Sequence, residues 1–189
     1  MEIKDTDLGL DWYATDAPGV GGRLKKRPED FRVSERADFP YGDEGKHAVV
    51  RVTLRNYETH EFARDLSDAL GASRKRVRWA GTKDRRAVTT QLFTVADVSR
   101  EEIEGVSLDG ATIVYLGRSH QYVSLGDLRG NDFEVRLRDA DVPENTEVIA
   151  EEIDEFGGVP NLFGSQRFGS RRPVTHVVGE RILEGDFAG

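Results

Sequence analysis

Arg74-Lys75-Arg76-Val77-Arg78-Trp79-Ala80-Gly81-Thr82-Lys83-Asp84-Arg85-Arg86-Ala87-Val88-Thr89-Thr90-Gln91 is the stretch on which the chain turns. Val77 and Trp79 fall on one side of a short strand that ends at Gly81, and Leu92 to Val95 reads as another strand. Asp84 therefore sits on a loop between two sheet-forming segments, a place where a rigid scaffold can hold a reactive group. Seven residues of the stretch are basic, and Asp84 is its one acid. Surrounding positive charge favours the charged form of a carboxylate. The same cations could hold phosphates. A carboxylate nucleophile beside a phosphate-binding surface is one reading. A turn Asp in a solvated basic loop fits the composition as well.

Outward from that stretch, alternation and helical spacing set the other elements. Phe31 to Glu35 alternates as a strand, with Phe31 and Val33 on one face, and His47 to Leu54 places Val50, Val52 and Leu54 together. Thr59 is placed to cap a helix from about His60 to Leu70, with Phe62, Leu66 and Leu70 as its stripe and Gly71 just past its end. A short helix over Ser99–Glu104 and a strand over Ala111–Leu116 follow. Leu125–Arg129 reads as a loop, and Asp132–Arg138 as a strand with Phe133, Val135 and Leu137 on one face. Pro143 and Glu144 open a helix to about Phe156, with Val148, Ile149, Ile153 and Phe156 facing inward. Gly157-Gly158 closes it, and Thr175 is placed to cap a last helix over Val177–Leu183.

Composition narrows the function classes. The chain has 189 residues, a net charge of −8, 33% charged residues and no Cys. Disulfides and thiolate metal sites are excluded. An acidic protein repels nucleic acid at long range, so RNA contact must come from a local basic patch. Few lysines on an acidic surface also fit a high-salt cytoplasm, where screening is strong. No apolar run approaches the roughly 20 residues of a membrane span, so the expectation is a soluble, cytoplasmic protein. Gly21 and Gly22 do not form G-x-G-x-x-G, and no G-x-x-x-x-G-K-[ST] occurs. His60-Glu61-Phe62-Ala63-Arg64 begins like H-E-x-x-H, but Arg64 stands where the second His is needed. The H-x-E and P-C-x-x-C ligands of a zinc-dependent base deaminase are absent. His47, His60, His120 and His176 show no metal-ligand spacing.

The segment Ala80–Gln91 resembles the signature of the TruD family of tRNA pseudouridine synthases. Three further segments carry the same resemblance. Lys25 to Glu35 resembles a Lys followed by Pro-Glu-Asp-Phe and a strand ending in Glu. Gly130-Asn131-Asp132-Phe133 resembles Gly-Asn-x-Phe. Pro160-Asn161-Leu162-Phe163-Gly164-Ser165-Gln166-Arg167-Phe168-Gly169 resembles a third motif, with Leu162 replacing an aromatic. The resemblance implies that Asp84 is the catalytic nucleophile, acting without cofactor or metal on a tRNA uridine, position 13 in the family. It implies that Lys25 and Phe31 line the active site, that Asn131 contacts the surroundings of the nucleophile, and that Phe133 packs on the target base. Lys83, Arg85, Asn161, Phe163, Gln166 and Arg167 join them as substrate-binding candidates. Without the resemblance, Lys25 reads as a surface lysine, Phe31 and Phe133 as core aromatics, Asn131 as a turn residue, and Arg167, Arg171 and Arg172 as surface arginines.

The implied fold is an α/β domain of α+β type, with a mixed, largely antiparallel sheet flanked by helices. Residues 1–19 are expected to be an N-terminal extension. Residues 20–189 are expected to be the N-terminal part of a pseudouridine synthase catalytic domain, in a chain that reads as a monomeric fragment. A non-catalytic RNA-binding module is the competing expectation.

Overall fold

The computed structural model describes residues 12–162, 164 and 174–186. The chain divides into two compact units, Gly22–Ala140 and a second one built from Met1–Gly21 and Asp141–Gly189.

Gly22–Ala140 holds a six-stranded sheet. Its strands are β1 (Phe31–Arg36), β2 (His47–Arg55), β3 (Val77–Trp79), β4 (Val88–Ala96), β5 (Ala111–Ser119) and β6 (Gly130–Val135), in the order β5-β2-β4-β1-β6 with β3 also on β4. Only the β1/β4 pairing is parallel, so the sheet is mixed and largely antiparallel as expected. β4 starts at Val88, four residues before the strand read from the sequence. Parallel pairing of Arg32, Val33 and Ser34 with Val88, Thr89 and Thr90 on one side, and antiparallel pairing with Thr53, Leu54 and Arg55 of β2 on the other, extend it into the motif. Local alternation could not reveal a partner more than 50 residues upstream. β4 is central and covered on both faces, so its residues are buried almost without a break.

One face of the sheet carries the main core. Ala48, Val50, Val52 and Leu54 of β2 and Phe93 and Val95 of β4 meet Phe62, Ala63 and Leu66 of helix α1 (Thr59–Ala69) and Ile103 of helix α2 (Arg100–Glu104). The Phe62 and Phe93 rings pack edge to face, 5.1 Å between centroids. Burying a side chain such as Phe62 contributes about 1.5–3 kcal/mol. On the opposite face a smaller cluster, Val49, Ala80, Leu92 and Val123, is covered by Ala37, Phe39, Leu116 and Leu128, mostly from loops.

α1 keeps Phe62 and Leu66 of its sequence-expected stripe buried, with one change at its cap, and α2 is the short helix expected. α1 is capped by Glu58, whose carboxylate accepts the Glu61 backbone N–H, and not by Thr59. Thr59 is the first helical residue, and its hydroxyl is used elsewhere, as shown below. Gly71 has φ +58°, the left-handed geometry expected just beyond a helix end. Ser99 and Glu102 form a reciprocal capping box on α2.

The second unit contains helices α3 (Asn145–Phe156) and α4 (Thr175–Glu184). Glu152 of α3 accepts the backbone N–H groups of Asp16 and Ala17, and Asn145 donates to the Pro18 carbonyl. The inward stripe expected on α3 is only partly realised. Ile149 and Ile153 are half-buried, but Val148 and Phe156 are exposed. Helical periodicity names an apolar face, but it does not supply a cover for it, and no strand of the sheet belongs to this unit. α4 begins at Thr175 itself, so Val174, without a side-chain capping bond, is its N-cap. Among the described residues no helix is long and apolar enough to cross a membrane.

Candidate active site

The loop between β3 and β4 is held by Lys83 and presents Asp84. The Lys83 backbone N–H donates to Thr59 Oγ1 at 3.1 Å, which ties the loop to the first turn of α1. Its ammonium runs inward and pairs with Glu35 Oε2 at 2.7 Å, both side chains being nearly fully buried. The other oxygen, Oε1, accepts the Leu92 backbone N–H at 3.3 Å. One buried carboxylate on β1 therefore fixes both the loop and the strand after it. A buried charge needs such partners, because water no longer solvates it.

Asp84, the next residue, goes to the open side. Its side chain is 56% exposed, and Oδ2 accepts from Lys25 Nζ at 2.9 Å. No described residue donates to Oδ1. Lys25 holds φ +52°, an unfavourable region for a residue with a long side chain. Among the described residues the other non-glycine positions with positive φ, Asn56, Asp97 and Asp139, are all Asn or Asp, which tolerate it. Neighbours hold the strained residue in place. Arg23 and Arg138 exchange backbone hydrogen bonds, Lys26 pairs with Asp139 at 2.8 Å, and Arg86 donates to the Lys26 carbonyl at 2.9 Å.

Aromatic rings complete this side. Lys25 Nζ lies 3.9 Å from the centroid of Phe31, and the Phe31 ring meets Phe133 edge to face at 6.0 Å. Phe133 is 62% exposed, so the ring offers a free surface and is not the core aromatic of the alternative reading. Strand register explains the grouping. Val33 pairs with Phe133 and Glu35 with Asn131, so Phe31, Val33 and Glu35 of β1 share one face with Asn131 and Phe133 of β6. Asn131 Oδ1, Thr89 Oγ1 and both amide atoms of Gln91 are buried there without hydrogen-bond partners among the described residues.

A further clamp sets the approach of Lys25 and Phe31. Between them Pro28–Asp30 forms a 3-10 turn, and buried Asp30 accepts the Arg27 backbone N–H. Arg138 Nε donates to both Asp30 oxygens at 2.8 Å, and this holds the Asp30 carboxyl well below its usual range, at about 2.

The basic run separates into distinct uses. Arg76 donates to the Ala96 carbonyl at 2.7 Å and to the Asp97 carbonyl, which staples the chain before β3 to the end of β4. Lys83 is buried, Arg85 lies 3.6 Å from Glu61, and Arg86 holds the Lys26 carbonyl. Arg74 lies over the Trp79 ring at 4.4 Å and Arg78 over Tyr122 at 5.6 Å.

The structure thus gathers Asp84, Lys25, Phe31 and Phe133 into a chain of contacts and places Asn131 on the same sheet face. Lys83 is the buried anchor of the loop, and Arg85 is directed to α1. Asn161 is exposed in the second unit. Phe163, Gln166 and Arg167 lie outside the described residues. Glu35, Thr59, Asp30 and Arg138 are the site-building residues absent from the sequence-derived candidates. Glu35 alone had a local signal, a carboxylate at i+4 from Phe31 on an inward strand face. Among the described residues no group of three or more His, Asp or Glu could hold a metal ion.

This geometry defines a class: an α+β sheet domain that presents one lysine-paired carboxylate on a braced loop, beside exposed aromatic and cationic side chains. The family model of tRNA pseudouridine synthase D (TruD) matches residues 7–189, and the chain belongs to that family. A probable tRNA pseudouridine synthase D from Natronomonas pharaonis is 50% identical over 192 residues, covering 95% of this chain and 43% of the relative. One from Halobacterium salinarum is 48% identical over 191 residues, with 95% and 43% covered. The crystal structure of a putative tRNA pseudouridine synthase D from Methanosarcina mazei superposes with a TM-score of 0.84 at 46% identity, covering 97% of this chain and 43% of that one. The chain therefore spans less than half the length of these relatives.

Proposed function

We propose that this chain carries the nucleophile-bearing part of a tRNA pseudouridine synthase, which converts a uridine, at position 13 by family resemblance, to pseudouridine with Asp84 as the attacking carboxylate. The observation that carries the reading is the exposed Asp84 carboxylate, tied through one oxygen to Lys25 beside the Phe31 and Phe133 rings. The isomerisation breaks the bond from ribose C1′ to uracil N1, turns the base and joins C1′ to C5; C5 loses its proton and N1 gains one. A carboxylate serves either route, attack on the base or on C1′, and then accepts the proton. The target uridine must leave its stack to reach Asp84. Stacking on an aromatic such as Phe133 offsets that cost by about 1–3 kcal/mol.

The test is a single-turnover assay for pseudouridine in unmodified tRNA at high salt, with the 189-residue chain and its Asp84→Asn variant in parallel. The expected result is product with the first and none with the second, while both bind tRNA. Equal rates in the two would refute the role of Asp84. Binding without product in either would favour an RNA-binding module.

A further inference from the structure

Beside the Asp84 loop, and lined by none of Lys25, Phe31, Asp84 or Phe133, lies a cavity of about 590 Å³. Trp79 and Tyr122 form aromatic walls, and Arg74, Lys75, Arg78 and His60 bring polar groups to it. Its size suits a single nucleotide.

Three observations say what it takes. Among the described residues neither Arg74 nor Arg78 forms a salt bridge with a carboxylate. Each guanidinium lies on an aromatic ring, and no described acidic group pairs with Lys75. Burial and the neighbouring Arg78 push Arg74 below its usual range, against the weaker opposing pull of Glu58. The Trp79 indole N–H is buried without a hydrogen-bond partner among the described residues. Tyr122 is half exposed, and His47 packs against its ring at 5.8 Å, so a flat apolar surface is held ready next to the cations. Unstacked bases in RNA are received by such surfaces, aromatic rings and guanidinium planes together with phosphate-binding cations.

We propose that this cavity binds one unstacked ribonucleotide of the RNA substrate, its base against Tyr122 and its phosphate between Arg74 and Arg78. The proposal rests on the RNA-modifying reading above and adds a second recognition point to it. Thr82 lines the cavity and lies 3.4 Å from His60 Nε2. Two residues of chain reach at most about 7 Å, so Asp84 is close by. The bound nucleotide is therefore a near neighbour of the target uridine in the same RNA, and the enzyme reads the shape of an opened strand at two places.

Trp79 supplies the assay. The chain has two Trp residues, so in a Trp12→Phe background its indole fluorescence reports this cavity alone. A four-nucleotide oligouridylate is titrated into this protein, with inorganic phosphate as the comparison. Saturable quenching by the oligonucleotide is expected. Arg78→Ala with Tyr122→Ala, both exposed positions, should weaken it by about tenfold or more. Far-UV circular dichroism checks that the fold is kept, and Asp84→Asn should leave the titration unchanged. Absent quenching, quenching indifferent to the double substitution, or phosphate binding as tightly as the oligonucleotide would each overturn the proposal. Saturable binding in a protein that forms no pseudouridine on any tRNA would leave the cavity assigned while the catalytic reading fails.

Discussion

Removing either charge of the Lys83–Glu35 pair should cost far more than removing both. The side chains are 6% and 1% exposed, so neither charge is solvated once its partner is gone. Breaking a buried pair from one side costs about 3–5 kcal/mol. That is a large share of the roughly 5–15 kcal/mol that holds an ordinary domain together. Lys83→Met keeps most of the side-chain length and removes the ammonium. Glu35→Gln keeps an acceptor for the Leu92 N–H, so its loss reports the charge and not the backbone bond. Lys83→Met with Glu35→Gln closes the cycle, removing both charges so that neither is left buried and unpaired while the acceptor for the Leu92 N–H is kept. A double-mutant cycle should therefore give a coupling of at least about 2 kcal/mol. The assay is urea unfolding followed by Trp79 fluorescence in the Trp12→Phe background, so that the signal comes from Gly22–Ala140. Repeating it in 1 M KCl should change the coupling little, because buried pairs are screened far less than exposed ones. Single losses below about 1 kcal/mol, with no coupling, would show that the pair behaves like a surface ion pair and would refute the reasoning.

Three other outcomes follow from the geometry. Asp30 is held at about 2, below the roughly 3.9 of an unfolded Asp, so its stabilising effect is present above about pH 4 and is lost as pH falls from 4 to 2. Arg138→Leu should flatten that part of the acid-unfolding profile and raise the pH at which the protein unfolds. Phe133→Ala should change stability by no more than about 0.5 kcal/mol, since the ring is 62% exposed, yet lower kcat/KM by about 5- to 150-fold through lost stacking. A matching loss of stability would return Phe133 to the core. Replacing Arg74 and Arg78 together by Ala should make the slope of log K for RNA against log salt shallower by about 0.7, the value of the one single-strand phosphate held between them. Arg86→Ala should leave it unchanged, because that guanidinium holds the Lys26 carbonyl.

The sheet core was legible because its evidence is local. Alternation over His47–Leu54 and the stripe of Phe62 and Leu66 are properties of single segments, and both are buried as read. What escaped depends on distant chain. The first residues of β4 are strand because β1 and β2 pair with them from either side, and Val148 and Phe156 are exposed among the described residues although they lie on the expected apolar face of α3. Thr59 is a good capping residue by type, but the Lys83 backbone N–H takes its hydroxyl and Glu58 takes the cap.

The site shows the same limit more sharply. Sequence counting treats Lys83, Asp84 and Arg85 as one electrostatic patch, because charges adjacent in the chain are assumed to act together. The loop separates them. Lys83 is drawn into the core by Glu35, Asp84 is left on the open side, and Arg85 faces Glu61. The ammonium that meets Asp84 comes from Lys25, 59 residues upstream, and is delivered by a residue in strained backbone geometry. The two lysines thus divide the work. One buried charge fixes where the loop is, and one accessible charge orients the carboxylate without enclosing it. A pair of this kind beside an open carboxylate adds little stability, so a strained backbone maintained for it fits the proposed role of Asp84 better than a need of the fold.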